Sequence, residues 1–374
     1  MKRLLFIITG LSTGGAEMML VKLLERLCRA RFSPAVISLT PLGELAPAVE
    51  ALGIPVESAG FARGAFSSLA FGRLVARIRN MKPDIVHTWA YHADLLGGLA
   101  ARLAGIRKVA WCIRNSDLSR ERTRFSTRLV ARSCAALSPF IPRRIISCSA
   151  AALRIHAALG YKSEKMSVIP NGFDLERFKP DEKARHRLRA ELNIAESAPL
   201  IGMIGRFDPQ KNHAGFFEAA GLLRKRFPES HFLLAGSGID CQNDVLREAM
   251  AQHQLGAHTH LLGLRADIPE IMAALDALAS VSFGEAFPNV LGEAMASGVP
   301  CATTNAGDCA FIVGDTGKVV EIGDMPGLAN ALAFLVSLSP SERASLGARA
   351  RNRVAERFEI GNVVRQYEDF YERL

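Results

Sequence analysis

Residues 1–17 read MKRLLFIITGLSTGGAE, which is an apolar run, a glycine-rich turn and the start of an amphipathic stretch. The apolar run, Leu4–Ile8, is five residues long, and the charged residues Glu17 and Lys22 follow it before any cleavage-like site. This pattern predicts a buried first strand rather than a secretory signal. A strand that leads through a glycine-rich turn into a helix is the opening unit of a parallel α/β fold.

Apolar strand candidates and amphipathic helix candidates alternate along the rest of the chain. The turn-rich segment 169–174 and the charged segment 179–189 interrupt this alternation, which restarts at Leu200–Gly205. At roughly 150 residues per domain, the 374 residues suggest about two domains. We therefore predict two α/β domains joined near residue 172. Because parallel sheets bind ligands just outside the carboxyl ends of their strands, we expect the site in a cleft between the domains.

The composition excludes several classes of protein. With 49% hydrophobic and 22% charged residues the chain is close to globular averages, so wholesale disorder is excluded. The seven cysteines are scattered and include no C-x-x-C pair of the kind that indicates a zinc or redox site, so we expect a cytoplasmic protein. No apolar run reaches the roughly 20 residues that a membrane-spanning helix needs, so the sequence predicts no membrane span.

The positive charge of the chain is concentrated in residues 102–144. That segment contains eleven Lys or Arg and two acidic residues, an excess equal to the net charge of +9 of the whole chain. Such a segment attracts anionic lipid, nucleic acid or an acidic substrate. A solvated basic helix and a membrane-facing surface are equal alternatives, and nucleic acid is not expected because no recognised motif accompanies the charge. Phe61, Phe66 and Phe71 would add an apolar contact to a membrane surface, or else lie in the core.

Three turns that follow strand candidates are typical of anion binding. Gly14 and Gly15 stand at the start of a helix, although their spacing is not the G-x-G-x-x-G of a dinucleotide site. Arg206 and Lys211, five residues apart after another strand, could clamp one diphosphate. The segment 236–238, Gly-Ser-Gly, follows the next strand and is a further candidate anion loop.

Two glutamates eight residues apart, Glu285 and Glu293, flank an apolar loop. The spacing places Glu285 in a loop and Glu293 two turns into the following helix, whose positive end would meet a phosphate. The alternative is that both are merely solvated acids at a helix end. We reject it because the apolar loop between them would then be exposed without purpose.

Taken together and in this order, the motifs resemble those of the retaining glycosyltransferases of family 4. The resemblance rests on Gly14-Gly15-Ala16-Glu17, Ile169-Pro170-Asn171-Gly172-Phe173-Asp174, Gly205-Arg206 with Lys211, Gly236-Ser237-Gly238 and the E-x7-E pair. It implies a GT-B fold of two facing Rossmann-like domains. The acceptor-binding domain would comprise residues 1–172 and the nucleotide-sugar-binding domain residues 173–357. A last helix, about 358–374, would cross back to the first domain.

The resemblance also implies roles for particular residues. Arg206 and Lys211 would clamp the donor diphosphate and Glu285 would contact the donor sugar, so these three are the expected catalytic residues. Glu293 would bind the ribose hydroxyls. The remaining expected donor-binding residues are Gly14, Gly15, Gly236, Leu264, Arg265, Phe287, Asn289 and Val290, of which Leu264 and Arg265 would lie beside the nucleobase.

The chemistry of sugar transfer agrees with these roles. Breaking a sugar–phosphate bond leaves a nucleoside diphosphate with additional negative charge, which fixed cations and amides stabilise as it develops. A divalent metal could do the same, but the sequence contains no Asp-x-Asp pair. We therefore expect Arg206 and Lys211 to replace a metal, with no cofactor required.

Two departures from the family pattern concern the sugar pocket. Ala286 stands where the family usually has a glycine, which requires a negative φ at that residue. Where the family often has a histidine, after the strand candidate 108–113, this chain has Arg114 and Asn115, which we expect to line the sugar or acceptor pocket. His87 and His92 end another strand of the first domain and could also face that pocket, His87 with the better prospect.

The sequence therefore predicts a retaining, metal-independent glycosyltransferase of the hexosyltransferase type. Its donor would be a nucleotide-sugar and its acceptor a lipid-linked or membrane-associated saccharide, in cell-surface polysaccharide or lipopolysaccharide synthesis. The expected location is the cytoplasm, at the inner face of the membrane if residues 102–144 bind anionic lipid. The alternatives are a nucleotide-sugar epimerase of similar fold and a catalytically inactive peripheral binding protein.

Overall fold

The structure, a computed structural model, describes residues 1–62, 66–119 and 122–374. The chain forms two compact units, each built around one parallel sheet. The first unit consists of Met1–Gly172 and Ile360–Leu374, and the second unit consists of Phe173–Glu359. The predicted α/β class with two Rossmann-like domains is confirmed.

In the first unit, the described residues form a seven-stranded sheet of order β3-β2-β1-β4-β5-β6-β7 in which every pairing is parallel. Its strands are β1 Lys2–Ile8, β2 Phe32–Ser38, β3 Val56–Ser58, β4 Ile85–Trp89, β5 Val109–Ile113, β6 Arg144–Ser147 and β7 Met166–Val168. Its helices are α1 Gly15–Arg26, α2 Ala46–Glu50, α3 Ser68–Met81, a π-helix Ala93–Gly97, α4 Gly98–Leu103, α5 Phe125–Leu137 and α6 Ala150–Leu159, with a 3₁₀ turn at Ser163–Lys165.

In the second unit, six described strands form a parallel sheet of order β10-β9-β8-β11-β12-β13. The strands are β8 Leu200–Ile204, β9 His231–Ala235, β10 Thr259–Leu261, β11 Ala277–Ser280, β12 Cys301–Thr304 and β13 Lys318–Val320. The helices are α7 Glu182–Glu191, α8 His213–Arg224, α9 Asp244–Gln252, α10 Ile268–Ala274, α11 Asn289–Ala296, α12 Cys309–Val313, α13 Met325–Ser337 and α14 Pro340–Phe358. Short 3₁₀ turns lie at Pro209–Lys211, Gly256–His258 and Gly314–Thr316.

The central strands are apolar because helices cover both faces of a parallel sheet. Every residue of β4 and β5 is buried, as is the run Leu4–Ile8 of β1. This explains why the first strand resembles a signal peptide in composition. Across the described part of the chain, no helix combines the length and hydropathy that crossing a membrane requires.

The last helix, α15 (Ile360–Arg373), belongs to the first unit. Its Val363, Tyr367 and Tyr371 are fully buried in the first core, and their spacing of four residues places them on one helix face. The helix begins at Ile360 rather than at the predicted Phe358. Phe358 ends α14 and packs in the second unit, where its ring lies 5.4 Å from that of Phe287.

In each sheet, the order in which successive strands are added changes direction in the middle, although the strands themselves stay parallel. In the first unit the chain runs outward from β1 to β3 and then returns to β4 on the other side of β1, and in the second unit it does the same at β8 and β11. Loops that follow two such strands diverge and leave a crevice in which ligands bind. Ligand-binding residues are therefore expected in the segments after β1, β4, β8 and β11.

Candidate active site

In the second unit, the reversal point brings together a lysine and a glutamate that are distant in sequence. Lys211, in the turn after β8, donates to Glu285 Oε1 from 2.5 Å, and Glu285 lies in the loop after β11. The hydroxyl of Ser282 donates to the same carboxylate oxygen from 2.7 Å. The two charged side chains retain 24% and 13% exposure, so both are partly accessible to a ligand.

The loops that carry this pair are fastened to each other through their backbones. The Gln210 side-chain amide donates to the Gly284 carbonyl at 2.5 Å, and the Phe283 N–H donates to the Gln210 carbonyl at 2.9 Å. Gly307, with a φ of +58°, lies so close that a Cβ there would be 1.8 Å from the Glu285 carbonyl oxygen. The position of Glu285 is therefore fixed before any ligand arrives.

Arg206 points away from the protein interior. Its side chain is 57% exposed and pairs with Asp208 at 3.0 Å. Burial would raise the pKa of Asp208. Hydrogen bonds from the backbone N–H of Gln210 and from the Arg206 side chain outweigh the effect of burial and lower that pKa. An exposed ion pair of this kind contributes about 0–1 kcal/mol, so a more highly charged anion can draw the guanidinium away from Asp208.

Gly236 allows the loops after β8 and β9 to touch. It has a φ of +150°, and a Cβ would lie 2.1 Å from the Gly205 carbonyl oxygen. Its N–H donates to the Gly263 carbonyl at 2.7 Å, which adds the loop after β10 to the same edge. Beside Gly263, Leu264 is 75% exposed and offers an apolar surface at this edge.

Arg265 is engaged within its own unit. Its guanidinium donates to both carboxylate oxygens of Asp267, at 2.7 and 2.6 Å, and to Glu191 at 3.0 Å. These hydrogen bonds raise the pKa of Arg265 and hold the side chain in place. Any contact of Arg265 with a nucleobase is therefore left to its backbone and to the outer face of the guanidinium.

Helix α11 starts at the carboxyl edge of the same sheet. Its first residues are Asn289 and Val290, preceded by Pro288, and Phe287 just before them is 6% exposed with its ring stacked on that of Phe173 at 6.2 Å. The buried ring anchors the loop and fixes the direction of the helix. The positive end of the helix dipole thus lies next to the loop that carries Glu285.

Glu293 lies one helical turn after the start of α11, rather than the predicted two, and is half-buried. The helix begins at Asn289, after Pro288, so Glu293 comes only four residues after its start. The helix is held against the second core by Gly292, where a Cβ would lie 2.1 Å from the Phe173 ring. The structure therefore places Lys211, Glu285, Arg206, Gly236 and the start of α11 at one edge of one sheet. Gln210, Ser282 and Gly307 support them, and sequence reasoning missed all three.

In the first unit, the glycine-rich turn leads from β1 into α1 as predicted. Gly14 precedes the helix in an extended conformation, and a Cβ there would be 2.3 Å from a Glu17 carboxylate oxygen. The Thr13 N–H, one residue earlier, donates to Glu44 at 3.0 Å. Gly15 is the first helical residue, so the turn and the positive end of α1 lie at the carboxyl edge of the first sheet.

His87 does not line a pocket, which corrects the expectation from sequence. It is 1% exposed, and its Nδ1 lies 2.8 Å from the Tyr371 hydroxyl. Phe6, Trp89 and Tyr367 surround the imidazole. Burial, together with the charge of Arg114, lowers the pKa of His87 to about 3. The residue is part of the first core.

Arg114 is held by contacts within its own unit. Its guanidinium lies 3.8 Å over the Trp89 ring and donates to Asn171 Oδ1 at 2.6 Å and to the Tyr367 hydroxyl at 2.8 Å. These contacts brace α15, and the residue is half-buried after the end of β5, so its place in a sugar or acceptor pocket stays a prediction. Asn115, next in sequence, is half-buried in a local turn in which its side chain accepts from the Asp117 N–H at 3.0 Å, so it remains at the edge of the sheet.

The basic segment 102–144 has an apolar ridge on α5. Phe125 and Leu129 are 71% and 54% exposed, one helical turn apart. The exposed arginines of the segment include Arg102, Arg107, Arg122, Arg124 and Arg132, whereas Arg120 lies outside the described residues. Of the phenylalanines considered with this segment, Phe66 is 66% exposed, but Phe61 is 3% exposed and belongs to the core.

Within residues 1–62, 66–119 and 122–374, no group of three or more His, Cys, Asp or Glu side chains is arranged to hold a metal ion. The edge of the second sheet carries positive charge on Lys211, on Arg206 and at the start of α11. Together they suit a ligand with two or more negative charges and a polar group within reach of a carboxylate.

Comparisons with known proteins identify the family of the chain. The model of "Glycosyltransferase Family 4" matches residues 13–177, and that of "Glycosyl transferases group 1" matches residues 198–337. The UDP-Gal:alpha-D-GlcNAc-diphosphoundecaprenol alpha-1,3-galactosyltransferase of Escherichia coli is 30% identical over 300 residues, covering 79% of this chain and 76% of that protein. The putative glycosyltransferase EpsF of Bacillus subtilis is 28% identical over 324 residues, 82% and 79% of the two chains.

The solved structures agree on the fold. The crystal structure of Anabaena HepE in complex with UDP and glucose superposes with a TM-score of 0.87 at 24% identity, covering all of both chains. Sucrose-phosphate synthase from Thermosynechococcus elongatus superposes with a TM-score of 0.82 at 21% identity, covering 100% of this chain and 99% of that one.

The fold and the site define a glycosyltransferase with the GT-B fold. More narrowly, the chain belongs to glycosyltransferase family 4. The family predicted from the sequence motifs is therefore confirmed.

Proposed function

We propose that this glycosyltransferase moves a hexose from a nucleoside-diphosphate sugar to a hydroxyl of a lipid-linked saccharide, with retention of configuration and without a metal ion. The observation that carries the proposal is the Lys211–Glu285 pair, at the reversal point of the second sheet and beside Arg206 and the start of α11. Cations for a diphosphate and a carboxylate for a sugar hydroxyl thus lie at one edge.

The donor half of the reaction takes place on the second unit. The diphosphate lies against Arg206, Lys211 and the N–H groups of Phe287, Asn289 and Val290, while Glu285 accepts hydrogen bonds from the sugar. Glu293 binds the ribose, and the base rests on Leu264 and the backbone of Arg265. HepE, which has the same fold, binds UDP and glucose, and this supports a uridine nucleotide as the first donor to test.

The chemical step breaks the bond between the anomeric carbon and the diphosphate and forms a bond from that carbon to the acceptor oxygen. The acceptor proton ends on the departing diphosphate. Retention follows if the acceptor oxygen enters on the face that the diphosphate leaves. The charges of Lys211 and Arg206 stabilise the leaving diphosphate. In other enzymes a bound metal ion stabilises the same charge.

Two observations support a lipid-linked acceptor: the name of a relative, and the exposed side chains of the first unit. The Escherichia coli relative acts on a diphosphoundecaprenol-linked GlcNAc, which supports a lipid-linked saccharide in the assembly of a cell-surface polysaccharide. The exposed Phe125 and Leu129 among the arginines of segment 102–144 suit an anionic membrane surface. The seven cysteines are free, in agreement with a cytoplasmic location at the inner face of the membrane.

A thermal-shift screen tests the donor first. A ligand present at 100 times its Kd, and bound to the folded state alone, adds about 2.7 kcal/mol of stability. We expect UDP and UDP-hexoses to raise the Tm of the wild type but not of Lys211→Ala. A screen in which neither uridine nucleotides nor those of other bases shift the Tm would contradict the proposal.

A further inference from the structure

The turn after β4 in the first unit is strained. Ala90 has a φ of +76°, a region that L-residues other than Asn and Asp rarely adopt. The alanine side chain offers no hydrogen bond to compensate. Such strain persists where the surrounding structure imposes it, and it is concentrated at functional sites.

Two backbone hydrogen bonds impose this conformation. The Ala90 N–H donates to the Cys112 carbonyl on β5 at 3.0 Å, and the Ala90 carbonyl accepts from the Asp94 N–H at 2.8 Å. Asp94 belongs to the π-helix Ala93–Gly97, itself an uncommon element that is frequent at functional sites. A Cβ at Gly97 would lie 3.0 Å from Ile7, so the helix packs closely on the sheet.

The Asp94 side chain fastens the two strands to the turn. It is fully buried, and its Oδ1 accepts from the Thr88 hydroxyl at 2.5 Å and from the Cys112 N–H at 3.2 Å. Oδ2 has no hydrogen-bond partner among the described residues. Burial raises the pKa of Asp94 well above its usual range. Through its two accepted hydrogen bonds the carboxyl group ties the ends of β4 and β5 together.

The residue that this turn presents at the edge of the sheet is His92. Its neighbours are turned inward: Tyr91 is 5% exposed with its hydroxyl 2.6 Å from His156, and Ala93 is fully buried. The His92 ring is half-buried, and within the described parts of the chain it has no hydrogen-bond partner. A partly covered imidazole that lacks a protein partner, at the reversal point of a parallel sheet, is placed to bind a ligand.

We propose that the His92 imidazole accepts a hydrogen bond from a hydroxyl of the acceptor saccharide, and that Asp94 is the positioning residue that holds His92 through the Ala90 turn. This inference rests on the proposed function, in which the first unit binds the acceptor. Burial lowers the pKa of His92, so the ring is neutral at pH 7 and one ring nitrogen accepts.

The test measures transfer from UDP-galactose, and from the other UDP-hexoses that shift the Tm, to GlcNAc-diphosphate on a short polyprenyl chain. His92→Ala is compared with His92→Gln, whose amide can still accept, and with His186→Ala, an exposed histidine of α7 paired with Glu196, as the matched control. UDP affinity is measured for every variant. Asp94→Ala and Asp94→Asn form a second pair, because the amide oxygen of asparagine can accept from Thr88 and Cys112.

Because His92→Ala removes one hydrogen bond to the acceptor, we expect it to lower kcat/KM for the acceptor about tenfold and to leave UDP affinity unchanged. His92→Gln recovers part of that loss, and Asp94→Asn recovers most of the loss caused by Asp94→Ala. A kcat/KM for the acceptor within twofold of the wild type in His92→Ala overturns the inference and leaves the proposed function intact. A wild type that transfers to no polyprenyl-linked acceptor overturns the proposed acceptor, and the inference with it.

Discussion

Replacing Lys211 by alanine should separate catalysis from stability. At 4 Å and an effective dielectric constant of 20, two unit charges interact by about 4 kcal/mol. Loss of one fixed hydrogen-bond donor in an active site lowers kcat by about 10²–10³-fold. The folded protein loses less, because the two side chains keep 24% and 13% exposure to water and Glu285 keeps its hydrogen bond from Ser282. We therefore expect Lys211→Ala to cost about 1–3 kcal/mol of stability, between the values for exposed and buried ion pairs.

The assay is UDP release under saturating donor and acceptor, with chemical denaturation of the same samples. Lys225→Ala is the matched control, because Lys225 is an exposed lysine at the end of α8 in the same unit. It should behave as the wild type in both measurements. A kcat for Lys211→Ala within tenfold of the wild type, or a loss of stability that accounts for the loss of activity, would contradict the catalytic role of Lys211.

Three further predictions concern other parts of the molecule. Binding of the protein to vesicles should increase with their content of anionic lipid. It should be lost in the double variant Arg122→Glu/Arg124→Glu and weakened in Phe125→Ser, and equal sedimentation with neutral vesicles would contradict this. Gly236→Ala should abolish UDP binding, since its Cβ would meet the Gly205 carbonyl at 2.1 Å; unchanged calorimetric affinity would argue against that contact. Because burial and the Arg114 charge lower the pKa of His87 from 6.5 to about 3, the unfolded chain binds the additional proton between those values. The stability that His87 contributes should be complete above pH 6.5 and decline towards pH 3, and a denaturation midpoint that stays constant over that range would contradict it.

Local patterns in the sequence were sufficient for the fold. The buried strands, the glycine turns and the helices are encoded within short windows, because a parallel sheet covered on both faces needs apolar strands and short loops. Ordered motifs were sufficient for the family as well. The pairing of Lys211 with Glu285 could not be read from any window, since it depends on β8 and β11 being neighbours.

The prediction from sequence failed for residues whose surroundings are formed by a distant segment of the chain. His87 lies in a strand that ends at the carboxyl edge of the first sheet, which suggested a pocket, but Tyr367 and Tyr371 of α15 pack against its ring. No local signal indicates where a helix more than 250 residues later will pack. Gly307 was missed for the same reason, because its requirement for glycine comes from the carbonyl of Glu285.

The most direct test of the account is a transfer assay in EDTA. Wild-type protein is incubated with UDP-hexoses and a polyprenyl-diphosphate-linked GlcNAc acceptor, and the product is analysed by mass spectrometry and by NMR of its anomeric proton. We expect one added hexose, an α-linkage from an α-configured donor, and a rate unaffected by EDTA. A β-linked product, or a rate that is abolished by EDTA and restored by Mn²⁺, would contradict that expectation.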